Sequence, residues 1–241
     1  MSRTVIVIGA GASQGVGGAL SRKFAASGHH VIIAGRTDTK VAALAEEVRS
    51  AGGSAEPFTV DVTSATDQDA LFAHAAKTGE IAAVLYNAGN NAIIPFEQLD
   101  ADTYEAFWRV GCLGAFLTAK RAIPILKQQR EGSLFFTGAS GSLRGKSNFA
   151  HFASMKAGLR MLAQSLAREF GPHGVHVAHF IIDGVIDGDM VRSRFGEYLD
   201  QLGEDGGLSP DAIADAYWYV HTQPRSAWTH ELDLRPFKET W

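Results

Sequence analysis

The segment Phe152-Ala153-Ser154-Met155-Lys156 places a basic side chain one helical turn after a phenyl ring. Residues four apart share one face of a helix, so Phe152 and Lys156 are expected to lie side by side. A hydroxyl on such a ring could donate a proton to a developing alkoxide, whereas a phenyl ring cannot. In a purely structural interpretation, Phe152 belongs to an apolar stripe and Lys156 extends along its edge.

A glycine-rich run from Gly9 to Gly17 follows the first apolar segment and opens a helix. Glycines in this position allow a tight turn and close approach of the backbone to a pyrophosphate. The free N–H groups and the positive end of the helix dipole would then face the phosphates. A plain turn is the alternative, but the strand–turn–helix order favours nucleotide binding. The residues expected to contact the nucleotide here are Gly11, Ser13, Gln14, Gly15, Val16 and Gly17.

The second apolar segment ends in Gly35-Arg36. A carboxylate at this point would bind the ribose diol of NAD, whereas an arginine accommodates the additional phosphate of NADP. Guanidinium–phosphate contacts are bidentate and charge-assisted. We therefore predict NADP(H) rather than NAD(H), with a solvated surface arginine as the alternative.

Short apolar runs alternate with longer amphipathic stretches, which is typical of a buried parallel sheet covered by helices. The pattern predicts a Rossmann-like, doubly wound α/β fold of about seven strands with helices on both faces, in a single domain over residues 1–241. Strands are expected at Val5–Ile8, Val31–Ala34, Glu56–Val60, Ala82–Tyr86, Ser133–Thr137, His176–Ile182 and Glu231–Leu234. Helices are expected at Gly17–Ser27, Lys40–Gly52, Ala65–Lys77, Ala101–Gln129, Phe152–Phe170 and Pro210–Thr222. Residues 184–208 are expected to form a lid, a long loop with a short helix.

The order of these motifs resembles the short-chain dehydrogenase/reductase family over nearly the whole chain. The matching elements are Gly11–Gly17, Asp61-Val62, Asn87-Ala88-Gly89, Lys156 and the final strand, while Ala10 and Tyr86 depart from the family pattern. The resemblance implies that Asp61 and Val62 approach the adenine and that Asn87, Ala88 and Gly89 line the cofactor. It also implies that Lys156 holds the nicotinamide ribose. A strand-end cap for Asp61 and a turn role for Asn87 are the simpler alternatives.

The resemblance also implies three further catalytic positions, and this chain leaves all three without the family's group. The family's tyrosine falls on Phe152, its serine on Ala139 with Ser140 adjacent, and its asparagine on Gly111. Ser140 takes the serine role only if the loop shifts by one residue. No shift restores the tyrosine, because no Tyr occurs between Tyr104 and Tyr198.

Five residues are considered as replacements for the missing acid, and Ser154 is expected to face another direction on the helix. His151 titrates near neutrality but is expected on the helix surface, about 100° away from Phe152. Tyr198, Asp187 and Asp189 lie in the expected lid, where closure could bring them to a substrate. Tyr198 is retained as a weak catalytic prediction.

The composition excludes several classes of partner. The 241 residues carry a formal net charge of -4 and a single cysteine, Cys112. Nucleic acid, a membrane and a multi-cysteine metal site are therefore not expected, and a cytoplasmic location is the default. The expected partners are a small-molecule substrate and further copies of the chain, because the family commonly pairs its long helices and last strand as homodimers or homotetramers.

Three functions remain open on the sequence. The first is an NADP(H)-dependent oxidoreductase with a non-standard site, acting on a carbonyl, an imine or an activated enone. The second is a catalytically silent NADP(H)-binding protein that acts as a sensor or a partner subunit. The third is an ordinary dehydrogenase whose acid comes from the lid.

Overall fold

The computed structural model describes residues 3–89 and 91–240. Its centre is a parallel sheet of seven strands in the order β3-β2-β1-β4-β5-β6-β7. The strands are β1 (Thr4–Ile8), β2 (His30–Gly35), β3 (Ser54–Thr59), β4 (Ile81–Tyr86), β5 (Ser133–Thr137), β6 (His176–Ile182) and β7 (Glu231–Leu234). The doubly wound α/β fold is confirmed.

Helices cover both faces of the sheet and bury its apolar residues in two clusters. They are α1 (Val16–Ala26), α2 (Asp38–Ser50), α3 (Ala65–Thr78), α4 (Ala101–Trp108), α5 (Gly114–Gln129), α6 (Ala150–Phe170), α7 (Asp189–Leu202) and α8 (Pro210–His221). Helices α1 and α8 pack on one face, and α3, α5 and α6 on the other. No helix in the described ranges is long and apolar enough to cross a membrane.

The predicted continuous helix over 101–129 is wrong in one respect, because a π-helical segment, Arg109–Leu113, separates α4 from α5. Gly111 lies in this segment against Met155 of α6, and a Cβ atom at position 111 would overlap the Met155 side chain. The wide turn therefore lets α6 approach closely.

The segment predicted as a lid loop with a short helix contains a longer helix than expected. Helix α7 runs over Asp189–Leu202, with a non-helical residue, Phe195, inside it. Gly203, with φ of 71°, follows its end. The acidic and glycine-rich composition obscured this helix, because its exposed residues give only a weak apolar pattern.

The sheet order places a switch point between β1 and β4, where consecutive connections turn to opposite sides. In open parallel sheets the crevice at the carboxyl ends of such strands is where ligands bind. Asn87, directly after β4, closes this edge: its backbone N–H donates to Ile8 O at 2.8 Å and its side-chain Nδ2 to Gly9 O at 3.0 Å. The fold thereby fixes the glycine-rich turn against the end of β4.

Candidate functional site

A cleft of about 230 Å³ opens at the carboxyl ends of β1, β2 and β4. Its lining combines the glycine-rich turn, the end of β2 and the end of β4. We call it the carboxyl-end cleft, and its lining residues are Gly9–Ala12, Gly35–Thr37, Lys40, Val60, Val62, Ala88, Gly89 and Val110.

The glycine-rich turn leaves the first N–H groups of α1 without a side-chain partner. Gly15 is the N-cap residue of α1, no side chain caps the helix, and its first turn holds no acidic residue. By contrast, Ser64, Asp100 and Ser209 cap α3, α4 and α8. An uncapped helix start with its positive dipole end directed at a cleft suits an anion.

Two carboxylates already contact this turn in the structure. Ser13 Oγ donates to Glu47 Oε2 at 2.6 Å. The Gln14 N–H donates to Asp189 Oδ2 at 3.1 Å, and the Asp189 N–H donates to Gln14 O at 2.9 Å. The start of α7 is therefore fixed to the turn, and Asp189 is occupied there rather than free to act as an acid.

Two cations border the cleft where β2 ends. Arg36 and Lys40 both line it, and neither forms an ion pair within the described ranges. Lys40 was not predicted from the sequence. It stands in the first turn of α2, where the helix dipole disfavours a cation, and that misplacement is the signal that could have revealed it.

Asp61 follows β3, and its side chain accepts hydrogen bonds from a residue two positions later in the chain. Its Oδ1 accepts from the Thr63 N–H at 2.9 Å and from Thr63 Oγ1 at 2.8 Å, which is the simpler, turn-forming role. Val62, next to it, is buried and lines the cleft. Ala88 and Gly89 continue the lining beyond β4.

Lys156 is 5 % exposed and lies beside Gly89, which lines the carboxyl-end cleft. Its Nζ donates to Thr137 O, at the end of β5, at 2.7 Å. A Cβ atom on Gly89 would lie 3.4 Å from Nζ, an ordinary contact, so the ammonium lies beside the backbone that follows β4. Burial lowers the pKa of Lys156 to about 8.

Phe152 shares the face of α6 with Lys156, as expected from the spacing. The Lys156 Nζ lies 5.8 Å from the centroid of the Phe152 ring. The ring packs against Gly141, in the turn that follows Ala139, and its centroid is 6.4 Å from that of Phe149. This wall of the site is a hydrocarbon surface.

The serine and asparagine positions bring no polar side chain to the described site. Ala139 precedes a short turn in which Ser142 Oγ, not Ser140, donates back to Ala139 O at 2.7 Å. At position 111 the Met155 side chain fills the space in front of the backbone. Tyr86, the departure at the end of β4, is fully buried and donates to Val110 O, which anchors the π-helical segment.

The expectation that His151 lies on the surface is wrong. The residue is 0 % exposed, and its ring centroid is 4.3 Å from that of Phe107. Burial lowers its pKa. In the segment predicted as a lid, Asp187 pairs with Arg192, whose Nη2 donates to it at 2.6 Å, while Tyr198 is half exposed on α7.

The seven-stranded parallel sheet and the glycine-rich turn at its switch point define a protein of the Rossmann-like, doubly wound α/β class. The chain belongs to the short chain dehydrogenase family, whose model matches residues 3–198.

A curated relative, the uncharacterized oxidoreductase YuxG of Bacillus subtilis, is 32% identical over 220 residues. The match covers 90% of this chain but 32% of the relative, so the chain spans about a third of that protein's length. A crystal structure of a short-chain dehydrogenase from Rhodopseudomonas palustris is 34% identical, with a TM-score of 0.84 over 98% of this chain and 99% of that one. A metagenomic short-chain oxidoreductase solved in complex with NADP shares the fold, at 23% identity and a TM-score of 0.82 over 98% of each chain.

Proposed function

We propose that this protein is an NADP(H)-dependent oxidoreductase whose substrate needs no proton from a protein side chain. The observation that carries the proposal is Lys156, which is buried and directed at Thr137 O and Gly89 beside a wall made by the Phe152 ring. The group that would hold a ribose is present, and the group that would donate a proton is replaced by hydrocarbon.

Three features in or beside the carboxyl-end cleft would contact the nucleotide. The uncapped start of α1 offers N–H groups to a pyrophosphate. Arg36 and Lys40 supply two positive charges for a 2′-phosphate, which carries close to two negative charges at neutral pH. Lys156 keeps donors beyond its bond to Thr137 O for ribose hydroxyls. When bound, NADPH would supply the hydride.

The apolar wall limits the substrates that this site could reduce. A simple ketone needs a proton on its oxygen as well as a hydride on its carbon. An iminium ion already carries the positive charge that a hydride neutralises, and an activated enone or quinone-like acceptor can take its proton from water. The protein would then contribute by holding the reactants in place and excluding water.

The test is NADPH oxidation followed at 340 nm with a cyclic imine, an activated enone and a simple ketone. We expect turnover with the imine or the enone and none with the ketone. Phe152→Tyr is the matched variant, since it adds one hydroxyl beside Lys156, and it should leave imine reduction unchanged. Tight NADPH binding with no turnover of any substrate class would contradict the proposal.

A second function, a silent NADP(H)-binding protein, is favoured by one observation. The Met155 side chain fills the space at Gly111, so the family's asparagine cannot be accommodated without repacking. This alternative predicts NADPH binding, no turnover and a protein partner whose affinity changes with the nucleotide. The third idea, an acid from the lid, predicts that replacing Tyr198 abolishes turnover.

Cofactor preference has its own test. Arg36→Gln and Lys40→Gln should each weaken NADPH binding by roughly 10- to 100-fold, because a hydrogen bond to a charged group contributes about 1.5–3 kcal/mol. Both variants should leave NADH binding unchanged in isothermal titration. Equal losses for the two nucleotides would argue against contact with the 2′-phosphate.

We also propose that the chain forms a homodimer or homotetramer. Four large apolar side chains on α4, α5 and α6 are 40% to 50% exposed: Tyr104, Trp108, Phe116 and Met161. Burying them against a second copy would remove apolar area from water. Light scattering should give a mass of two or four chains, and Trp108→Glu should reduce it.

A further inference from the structure

We propose a second ligand site, for a small phosphomonoester, in a cavity at the opposite end of the sheet from the carboxyl-end cleft. This cavity, which we call the distal cavity, has a volume of about 400 Å³ and is lined by Arg130, Gly171, Pro172, Gly174, Arg225 and Trp228. These residues precede β5, β6 and β7, so the distal cavity opens at the amino ends of the strands.

The charge of the distal cavity is the first argument. Most arginines of the described chain pair with a carboxylate, for example Arg22 with Glu47 and Arg160 with Glu231. Arg130 and Arg225 have no carboxylate partner within the described ranges, yet they line the same cavity. Two guanidinium charges match a phosphomonoester, which carries close to two negative charges at neutral pH, better than they match a monocarboxylate.

A hydrogen bond from side chain to backbone joins the two arginines. Arg225 Nη2 donates to Arg130 O at 2.7 Å, so one guanidinium is fixed to the residue that carries the other. Arg130 itself has φ of 54°, a left-handed conformation that most side chains avoid. A Cβ atom on Gly174 would overlap the same Arg130 carbonyl, so the glycine permits this close approach.

The distal cavity also has an aromatic lining residue, which could contact the organic part of a phosphate ester. The Trp228 ring stacks on His176, with 4.5 Å between centroids and 4° between planes. One face of the indole is thus covered by a fixed imidazole, and the residue also lines the cavity. A volume of about 400 Å³ lies within the range for small-molecule sites, so the ligand would be a phosphate ester whose organic part packs near Trp228.

The probe for this site is phenyl phosphate, titrated into the intact protein and followed by the indole N–H signals in ¹H–¹⁵N spectra. Trp228→Phe assigns the signal of Trp228 among the four tryptophans. We expect saturable binding that shifts the Trp228 signal. Arg130→Asn, in which asparagine tolerates the left-handed backbone, and Arg225→Gln should each weaken binding about tenfold.

Two control variants separate this site from its alternatives. Arg168→Gln removes another arginine that lies outside the distal cavity, and it should leave binding unchanged. Arg36→Gln should also leave it unchanged, so that failure here is distinct from failure of the proposed NADP(H) site. Thermal unfolding checks that each variant folds.

Three results would overturn the proposal. The first is the absence of saturable binding to the folded wild-type protein. The second is an equal loss in Arg168→Gln, which would indicate diffuse electrostatic attraction. The third is a smaller assembly mass for Arg130→Asn, together with no binding of phenyl phosphate to the wild-type protein. That result would assign the two arginines to contact with a second copy of the chain.

Discussion

The packing at Gly111 leads to a prediction about stability whose magnitude can be worked from the structure. A Cβ atom at this position would overlap the Sδ, Cγ and Cε atoms of Met155, which is fully buried. Overpacking of this kind destabilises the folded state by about 1–3 kcal/mol, while replacing glycine by alanine in a helix stabilises it by up to about 1 kcal/mol. We therefore expect Gly111→Ala to destabilise the fold by about 1–2 kcal/mol.

The double variant separates overlap from other effects. Met155→Ala alone should cost about 2–5 kcal/mol, because it leaves a cavity in the core. In Gly111→Ala combined with Met155→Ala, the overlap is gone, so the combined loss should fall short of the sum of the single losses by about 1–2 kcal/mol. Urea unfolding, with the free energy extrapolated to water, measures all three losses.

Gly196→Ala is the matched control. This glycine also lies in a helix, α7, but a Cβ atom there meets nothing within 4 Å. Its replacement should be neutral or slightly stabilising. Additive losses for Gly111 and Met155, or a loss at Gly196 as large as that at Gly111, would refute the argument that packing excludes a side chain from position 111.

Burial lowers the pKa of His179 and of His221 to about 4 in the folded chain. Between pH 6.5 and 4 these two histidines are therefore protonated in the unfolded chain but not in the folded chain. Lowering the pH through this window should therefore cost at most about 3 kcal/mol per histidine, and a constant urea midpoint would contradict this. Lys156→Met should weaken NADPH binding about tenfold in isothermal titration without lowering the thermal midpoint, because burying an ammonium is costly. Asp189→Ala removes the carboxylate that binds the Gln14 N–H, so amide hydrogen exchange at Gln14 and in the first turn of α7 should accelerate, which Asp200→Ala should not cause.

The parts of the fold that could be predicted from the sequence are those with a strong local pattern. Strands β5, β6 and β7 begin and end at the predicted residues, and the other strands differ by one or two residues at their ends. Each strand of a buried parallel sheet is a continuous apolar run, so the ends of the run in the sequence mark the ends of the strand.

The parts that could not be predicted depend on contacts between distant segments. The apolar spacing over 101–129 continues through the π-helical segment, whose contacts are with distant residues: Met155 lies against Gly111, and Tyr86 donates to Val110 O. The burial of His151 depends on Phe107 of α4, more than forty positions earlier in the chain. Lys40 likewise reaches the carboxyl-end cleft only because α2 folds back beside the glycine-rich turn.

The catalytic positions divide into two kinds when packing is taken into account. At position 111 the space is filled by Met155, so a return to asparagine requires a second change in the core. At position 152 the ring is only partly buried, and its contacts with Gly141 and Phe149 are those of an apolar wall. A site that had merely lost a hydroxyl would leave its other polar positions open. Here the core is closed over position 111, so restoring a hydroxyl at position 152 alone would not restore the family's full set of polar groups.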